Sequence, residues 1–188
     1  QGSLRANHAP WRLMASPALA SYFDTSATTP PSEAVLRAMA DVQSTAWANP
    51  SSLHGPGLAA AEQLERSRQT LAMLLGCDAE ELVVTSGGTE AIHLALLGAA
   101  ARLQLGRVLI SAVEHPATQS AAIRLAEKGW DVQTIPVDCQ GLLDLNALDD
   151  LLTPPTRLVS LIWGQNEVGG LQPIEAVGVR CRAAGVLL

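Results

Sequence analysis

From residue 82 onward, short apolar runs alternate with longer stretches of helical periodicity, and no other property of the chain limits its fold as tightly. Residues 82–85 (Leu-Val-Val-Thr) read as a short buried strand, 89–105 as a helix, 107–111 as a strand, and 116–128 as a helix closed by Gly129. Residues 130–137 then read as a strand, 144–152 as a helix, 158–163 as an apolar strand, and 174–184 as a helix ending at Gly185, after which Val186, Leu187 and Leu188 enter a further strand. Apolar strands separated by helices of about ten residues or more build a largely parallel sheet covered on both faces. The expectation is an α/β chain in three layers.

Ahead of this region, residues 25–31 (Thr-Ser-Ala-Thr-Thr-Pro-Pro) are turn-forming, and Ser32 is placed to cap a helix whose Val35, Leu36, Met39 and Val42 recur at helical spacing. That helix ends before Asn49-Pro50, because the residue preceding a proline is pushed out of the α region. A second helix over residues 57–75 aligns Leu58, Ala61, Leu64, Leu71 and Leu75 on one stripe and stops at Gly76. Residues 1–21 read as an N-terminal tail or cloning remnant: 1–13 lack the apolar middle of a signal peptide, and Met14 reads as a natural start. The domain is expected over residues 22–188.

With 48% hydrophobic and 16% charged residues over 188 positions, the chain can bury one sizeable core. Its net charge of −6 reflects few basic residues, and the arginines are scattered rather than gathered into a stripe, which argues against a nucleic-acid partner. Cys77, Cys139 and Cys181 are odd in number and far apart, so neither a disulfide framework nor a Cys-x-x-Cys metal site is expected; reduced thiols in a cytoplasm are. No apolar run reaches the roughly 18 residues of a membrane helix.

Three junctions could carry chemistry. Ser86-Gly87-Gly88-Thr89-Glu90 lies between a strand reading and a helix start, where free backbone N–H groups and the positive end of a helix dipole meet an anion that glycine lets approach closely. A phosphate suits such a junction; a tight turn with Thr89 as an ordinary cap is the alternative. His115, in Ser111-Ala112-Val113-Glu114-His115-Pro116, follows another strand on the carboxyl edge of the sheet, where open α/β folds bind ligands. Its ring could stack on an aromatic cofactor and exchange protons, or be an exposed loop residue or a cap. Asn166, within Gln165-Asn166-Glu167-Val168-Gly169-Gly170, follows the strand reading that ends at Trp163 and offers an uncharged donor and acceptor, as many loops do.

Taken in order, Asp24-x-x-Ala27-Thr28-Thr29-Pro30, Asn49-Pro50-Ser51-Ser52-x-His54, Ser86 to Glu90, Glu114-His115-Pro116 and Asn166-Glu167-Val168-Gly169 with Gln172-Pro173-Ile174 resemble the cysteine desulfurases, the NifS-like branch of the class V aminotransferases. The resemblance implies the large domain of the aspartate aminotransferase-like (fold type I) transferases that use pyridoxal 5'-phosphate. It implies that Gly88 and Thr89 bind the cofactor's phosphate, that His115 stacks over the pyridine ring and assists proton transfer, and that Asn166 contacts the ring hydroxyl or the substrate. The implied reaction takes sulfur from L-cysteine, leaving L-alanine and an enzyme persulfide for iron-sulfur cluster or thio-cofactor assembly. Implied partners are a second copy, with residues 49–54 near the interface, and a sulfur-acceptor or scaffold protein.

Two departures, Ile92-His93 after Thr89-Glu90 and Trp163-Gly164-Gln165 before Asn166, keep selenocysteine lyase and cystine lyase open as alternatives. The family's His-x-Asp, Ser-x-His-Lys, cysteine-loop and arginine motifs have no counterpart here. Lys128, the only lysine, reads as a solvated helix end, and none of the three cysteines matches a nucleophile position. The chain is therefore read as a truncated N-terminal half, inactive alone or a non-catalytic remnant.

Overall fold

Three parallel strands, β1 (Arg107–Ser111), β2 (Asp131–Ile135) and β3 (Thr156–Ser160), pair in the order β2-β1-β3. A single parallel bridge from Leu158 to Leu187 adds a fourth position beside β3, where Val186 to Leu188 were expected to enter the sheet. The structure is a computed structural model and describes residues 21–188. The tail expected over residues 1–21 lies, but for residue 21, outside the described residues.

Successive residues of a strand face opposite sides of the sheet, and this chain makes both sides apolar. On one face Leu109 of β1, Val159 of β3 and Ile135 of β2 pack with Leu148 of α5 (Leu145–Leu151) and with Val177 and Cys181 of α6 (Ile174–Ala184). On the other, Val108 and Leu158 pack with Leu96 and Ala100 of α3 (Gly88–Ala101) and Ala121 and Leu125 of α4 (Pro116–Glu127). The expected three layers are thus present. Val108 and Leu109 are both fully buried, one for each core; truncating such a leucine to alanine costs about 2–5 kcal/mol.

The chain falls into two compact units, the first ending at Ser44 and the second spanning Thr45–Leu188. In the first, the Tyr22 hydroxyl lies 2.8 Å from the Asp24 carbonyl and 3.0 Å from that of Thr28. There α1 (Glu33–Thr45) starts where expected, with the Val35 N–H donating to Ser32 Oγ at 3.4 Å. In the second, α2 (Gly55–Leu75) begins two residues before its expected start, because His54 caps it through Nδ1, which accepts from Gly57 N–H at 3.2 Å. It ends at Gly76, whose φ of 71° is the left-handed C-cap that glycine favours.

Several expectations need correction. Residues 82–85 form no strand: Val83 and Val84 are exposed, and among the described residues the segment has no ladder partner. Leu58, Leu64 and Leu71 of the α2 stripe are about half exposed. The helix expected to 105 stops at Ala101. β3 begins two residues earlier than expected and ends three earlier, and β2 stops at Ile135 because Pro136 has no N–H to continue the ladder.

Candidate functional site

Because β1 and β3 are parallel neighbours, the chain leaves both on the same carboxyl edge. After β1 comes the loop 112–115. His115 is the N-cap of α4, its Nδ1 accepting from Ala117 N–H at 3.1 Å. Its role as a cap is therefore real, yet it uses only one ring nitrogen. A neutral ring whose Nδ1 accepts carries its hydrogen on Nε2, which takes no part in the cap, and the residue as a whole is exposed.

After β3, residues 163–172 fold back on themselves. The Gln172 N–H donates to the Trp163 carbonyl at 2.8 Å, and Gln165 N–H donates to the Gly170 carbonyl at 2.9 Å. Gln165 Oε1 accepts from both Glu167 and Val168 N–H groups at 2.7 Å, which shapes the turn carrying Asn166. Asn166 itself is exposed at the tip. The buried Gln172 side chain ties the base of this loop to another: its Oε1 accepts from Leu143 N–H at 2.9 Å, and its Nε2 donates to the Gly141 carbonyl at 2.7 Å.

The third junction opens α3. Its N-cap is Gly87, with no side-chain cap, and Thr89 is the second helical residue rather than the cap. The first helical bond runs from Ala91 N–H to the Gly87 carbonyl at 3.1 Å, so the N–H groups of Gly88, Thr89 and Glu90 precede the intrahelical ladder. Apart from the adjoining residues and the backbone of α3 itself, no atom of the described residues lies within 4 Å of where a Cβ on Gly87 or Gly88 would sit. Thr85 Oγ1 donates to the Gly87 carbonyl at 3.1 Å, and the Glu90 carboxylate accepts from Ser86 N–H at 2.6 Å. That bond holds the Glu90 carboxyl below its ordinary value.

The structure thus ties the His115 loop to the Asn166 loop, since Glu114, between Val113 and His115, accepts from Ile162 N–H at 2.7 Å. Gly88 and Thr89 are placed separately, by the packing of α3 on α4. His93, one turn below Thr89, buries its Nε2 without a hydrogen-bond partner among the described residues. The apolar cleft of about 560 Å³ between α3 and β3 includes none of Gly88, Thr89, His115 or Asn166. Lys128 is the C-cap of α4, at the opposite end of that helix from His115. Glu114 and Gln172 were missed as site-shaping residues by sequence reasoning; a carboxylate wedged between an apolar strand and a helix cap was the available signal.

Residues 21–188 match the family model for the class-V aminotransferases. The cysteine desulfurase NifS of Azotobacter vinelandii is 38% identical over 168 residues, which cover 88% of this chain and 42% of that protein. Among solved structures, a NifS-like protein superposes with a TM-score of 0.82 at 33% identity over 87% of this chain and 45% of the other. Another, SspA in complex with cysteine, gives a TM-score of 0.79 at 32% identity over 88% of this chain and 48% of the other. The chain spans about two fifths of the length of the curated relatives it matches. Matched by that family model over residues 21–188, the chain belongs to the class-V aminotransferase family.

Proposed function

We propose that this chain supplies the phosphate-binding and ring-contacting residues of a pyridoxal-phosphate-dependent cysteine desulfurase. The observation that carries the reading is the start of α3, where N–H groups ahead of the helical ladder meet open space over Gly87 and Gly88 with no side-chain cap from the N-cap residue. That donor set fits a phosphate monoester, which a helix N-terminus favours through both its N–H groups and its dipole. An exposed imidazole and a neutral amide at the adjoining sheet edge fit an aromatic, hydroxyl-bearing ring.

In this reading Gly88 and Thr89 hold the phosphate through their N–H groups. His115, fixed by its Nδ1 bond, offers a ring face to the pyridine and Nε2 as the atom at which a proton is held or moved. Asn166 orients the ring hydroxyl or the substrate carboxylate. When bound, pyridoxal phosphate is an electron sink for the substrate's α-carbon. The overall exchange is L-cysteine plus an enzyme thiol giving L-alanine plus an enzyme persulfide. Cys181 is buried in the core and is excluded as that thiol.

A homodimer, a sulfur-accepting protein, iron-sulfur cluster or thio-cofactor assembly and a cytoplasmic setting belong to the same reading. The exposed apolar stripe of α2 supports the dimer, because a second copy would cover it. Assayed as its natural gene product with L-cysteine, pyridoxal phosphate and a thiol reductant, the protein is expected to release alanine and sulfide in equal amounts. Absence of both bound cofactor and alanine would overturn the proposal. Turnover of selenocysteine but not cysteine would reassign the substrate within the family.

A further inference from the structure

Glu114 is a buried carboxylate to which the reading above gives no role, and its side chain joins the end of β1 to the segment after β3. Its Oε1 accepts from Ser111 Oγ at 2.8 Å, at the last residue of β1, and from Ile162 N–H at 2.7 Å, just beyond the end of β3. Its own carbonyl accepts from Gln119 Nε2 of α4 at 3.2 Å. His115 is the next residue. From Ile162 the chain passes to Trp163, whose carbonyl is bonded to Gln172 N–H, and so into the turn that carries Asn166.

We infer that Glu114 is a positioning residue, one oxygen of which sets the spacing between the loop presenting His115 and the loop presenting Asn166. The inference rests on the reading of those two residues as ring contacts. Both partners of Oε1 are donors, so an amide oxygen can replace it, whereas alanine leaves the buried Ser111 hydroxyl and the partly buried Ile162 N–H without this acceptor. The phosphate junction at Gly88 shares none of these bonds. Loss of Glu114 therefore disturbs recognition of the ring and spares recognition of phosphate.

The test compares the wild-type chain with Glu114→Ala, Glu114→Gln and Ser111→Ala in two ways. The first is amide exchange of residues 162–170 together with the ring nitrogen signals of His115; the second is affinity for pyridoxal phosphate against inorganic phosphate. Glu114→Ala is expected to speed exchange through the whole loop, shift the His115 ring signals, and lower the preference for pyridoxal phosphate by about tenfold or more. Glu114→Gln should restore all three, and Ser111→Ala should fall between, which decides the matter if the alanine variant does not fold. A variant that loses stability but keeps the wild-type preference and His115 signals would overturn the inference. If the wild-type chain shows no preference for pyridoxal phosphate over phosphate, the cofactor reading fails, and the exchange and ring signals alone decide the positioning role.

Discussion

Glu90 shows how a single side chain makes a helix start sensitive to acid. Its carboxylate accepts from Ser86 N–H at 2.6 Å, and that bond lowers its pKa. A carboxyl depressed in the folded state contributes stability above its unfolded value and loses it as pH falls through the lower, folded value. The Ser86 amide proton shift is therefore expected to report the Glu90 titration on the acid side of the ordinary carboxylate range, and Glu90→Gln should abolish the transition. An amide shift indifferent to acid in the wild-type chain would contradict this. The thiols divide just as clearly. Cys139 is exposed and Cys77 half-buried, whereas Cys181 lies in the core, where burial pushes its thiol pKa up. Iodoacetamide should label Cys139 first, Cys77 more slowly, and Cys181 only as fast as the chain opens; native labelling of Cys181 at the rate of Cys139 would refute the placement. Single residues at the site were legible where they sit next to a strand or a helix start, as His115 does. Glu114 and Gln172 were not, because their bonds span 48 and 29 residues of sequence.

Elements were legible where local chemistry ends them. The bounds of β1 and α6 agree with those read from the sequence; α6 stops at Gly185, whose φ of 66° is the left-handed conformation glycine favours. Residues 82–85 have the composition of a strand but lack a ladder, and pairing is a non-local property that composition does not carry. The N-terminus of α2 offers a test of how local chemistry sets an element. A Cβ on the buried Gly57 would collide with the Ser52 carbonyl and lie 2.8 Å from Ser52 Cβ, in a turn already fixed by Ser52 N–H donating to Asn49 at 3.0 Å. At Gly55, two residues earlier, the same Cβ meets nothing within 4 Å. Gly57→Ala is expected to cost about 1–3 kcal/mol, and Gly55→Ala less than about 0.5 kcal/mol, in denaturant unfolding. Equal effects would show that the turn yields and that Ser52 does not set the start of α2.

At the scale of the whole molecule, the three-layer order follows from β1 and β3 each burying both of their faces, which the alternation of apolar runs and helices announced. The same alternation places the start of the helix after β1 at the carboxyl edge and its finish at the far side. In α4 the two ends differ sharply: His115 caps the start at the carboxyl edge and Lys128 the finish. At 1.5 Å per residue the 13 steps between them span about 20 Å. A lysine side chain bridges only a fraction of that, so the sole lysine of the chain cannot meet a ring held beside His115. Pyridoxal phosphate added to this chain is accordingly expected to bind without a covalent bond, competing with inorganic phosphate. Borohydride followed by peptide mapping should find no saturable adduct, and Lys128→Arg should leave the affinity unchanged. A stoichiometric adduct at Lys128 that phosphate displaces would mean that α4 does not keep its two ends apart, and the placement of the site on the carboxyl edge would fall with it.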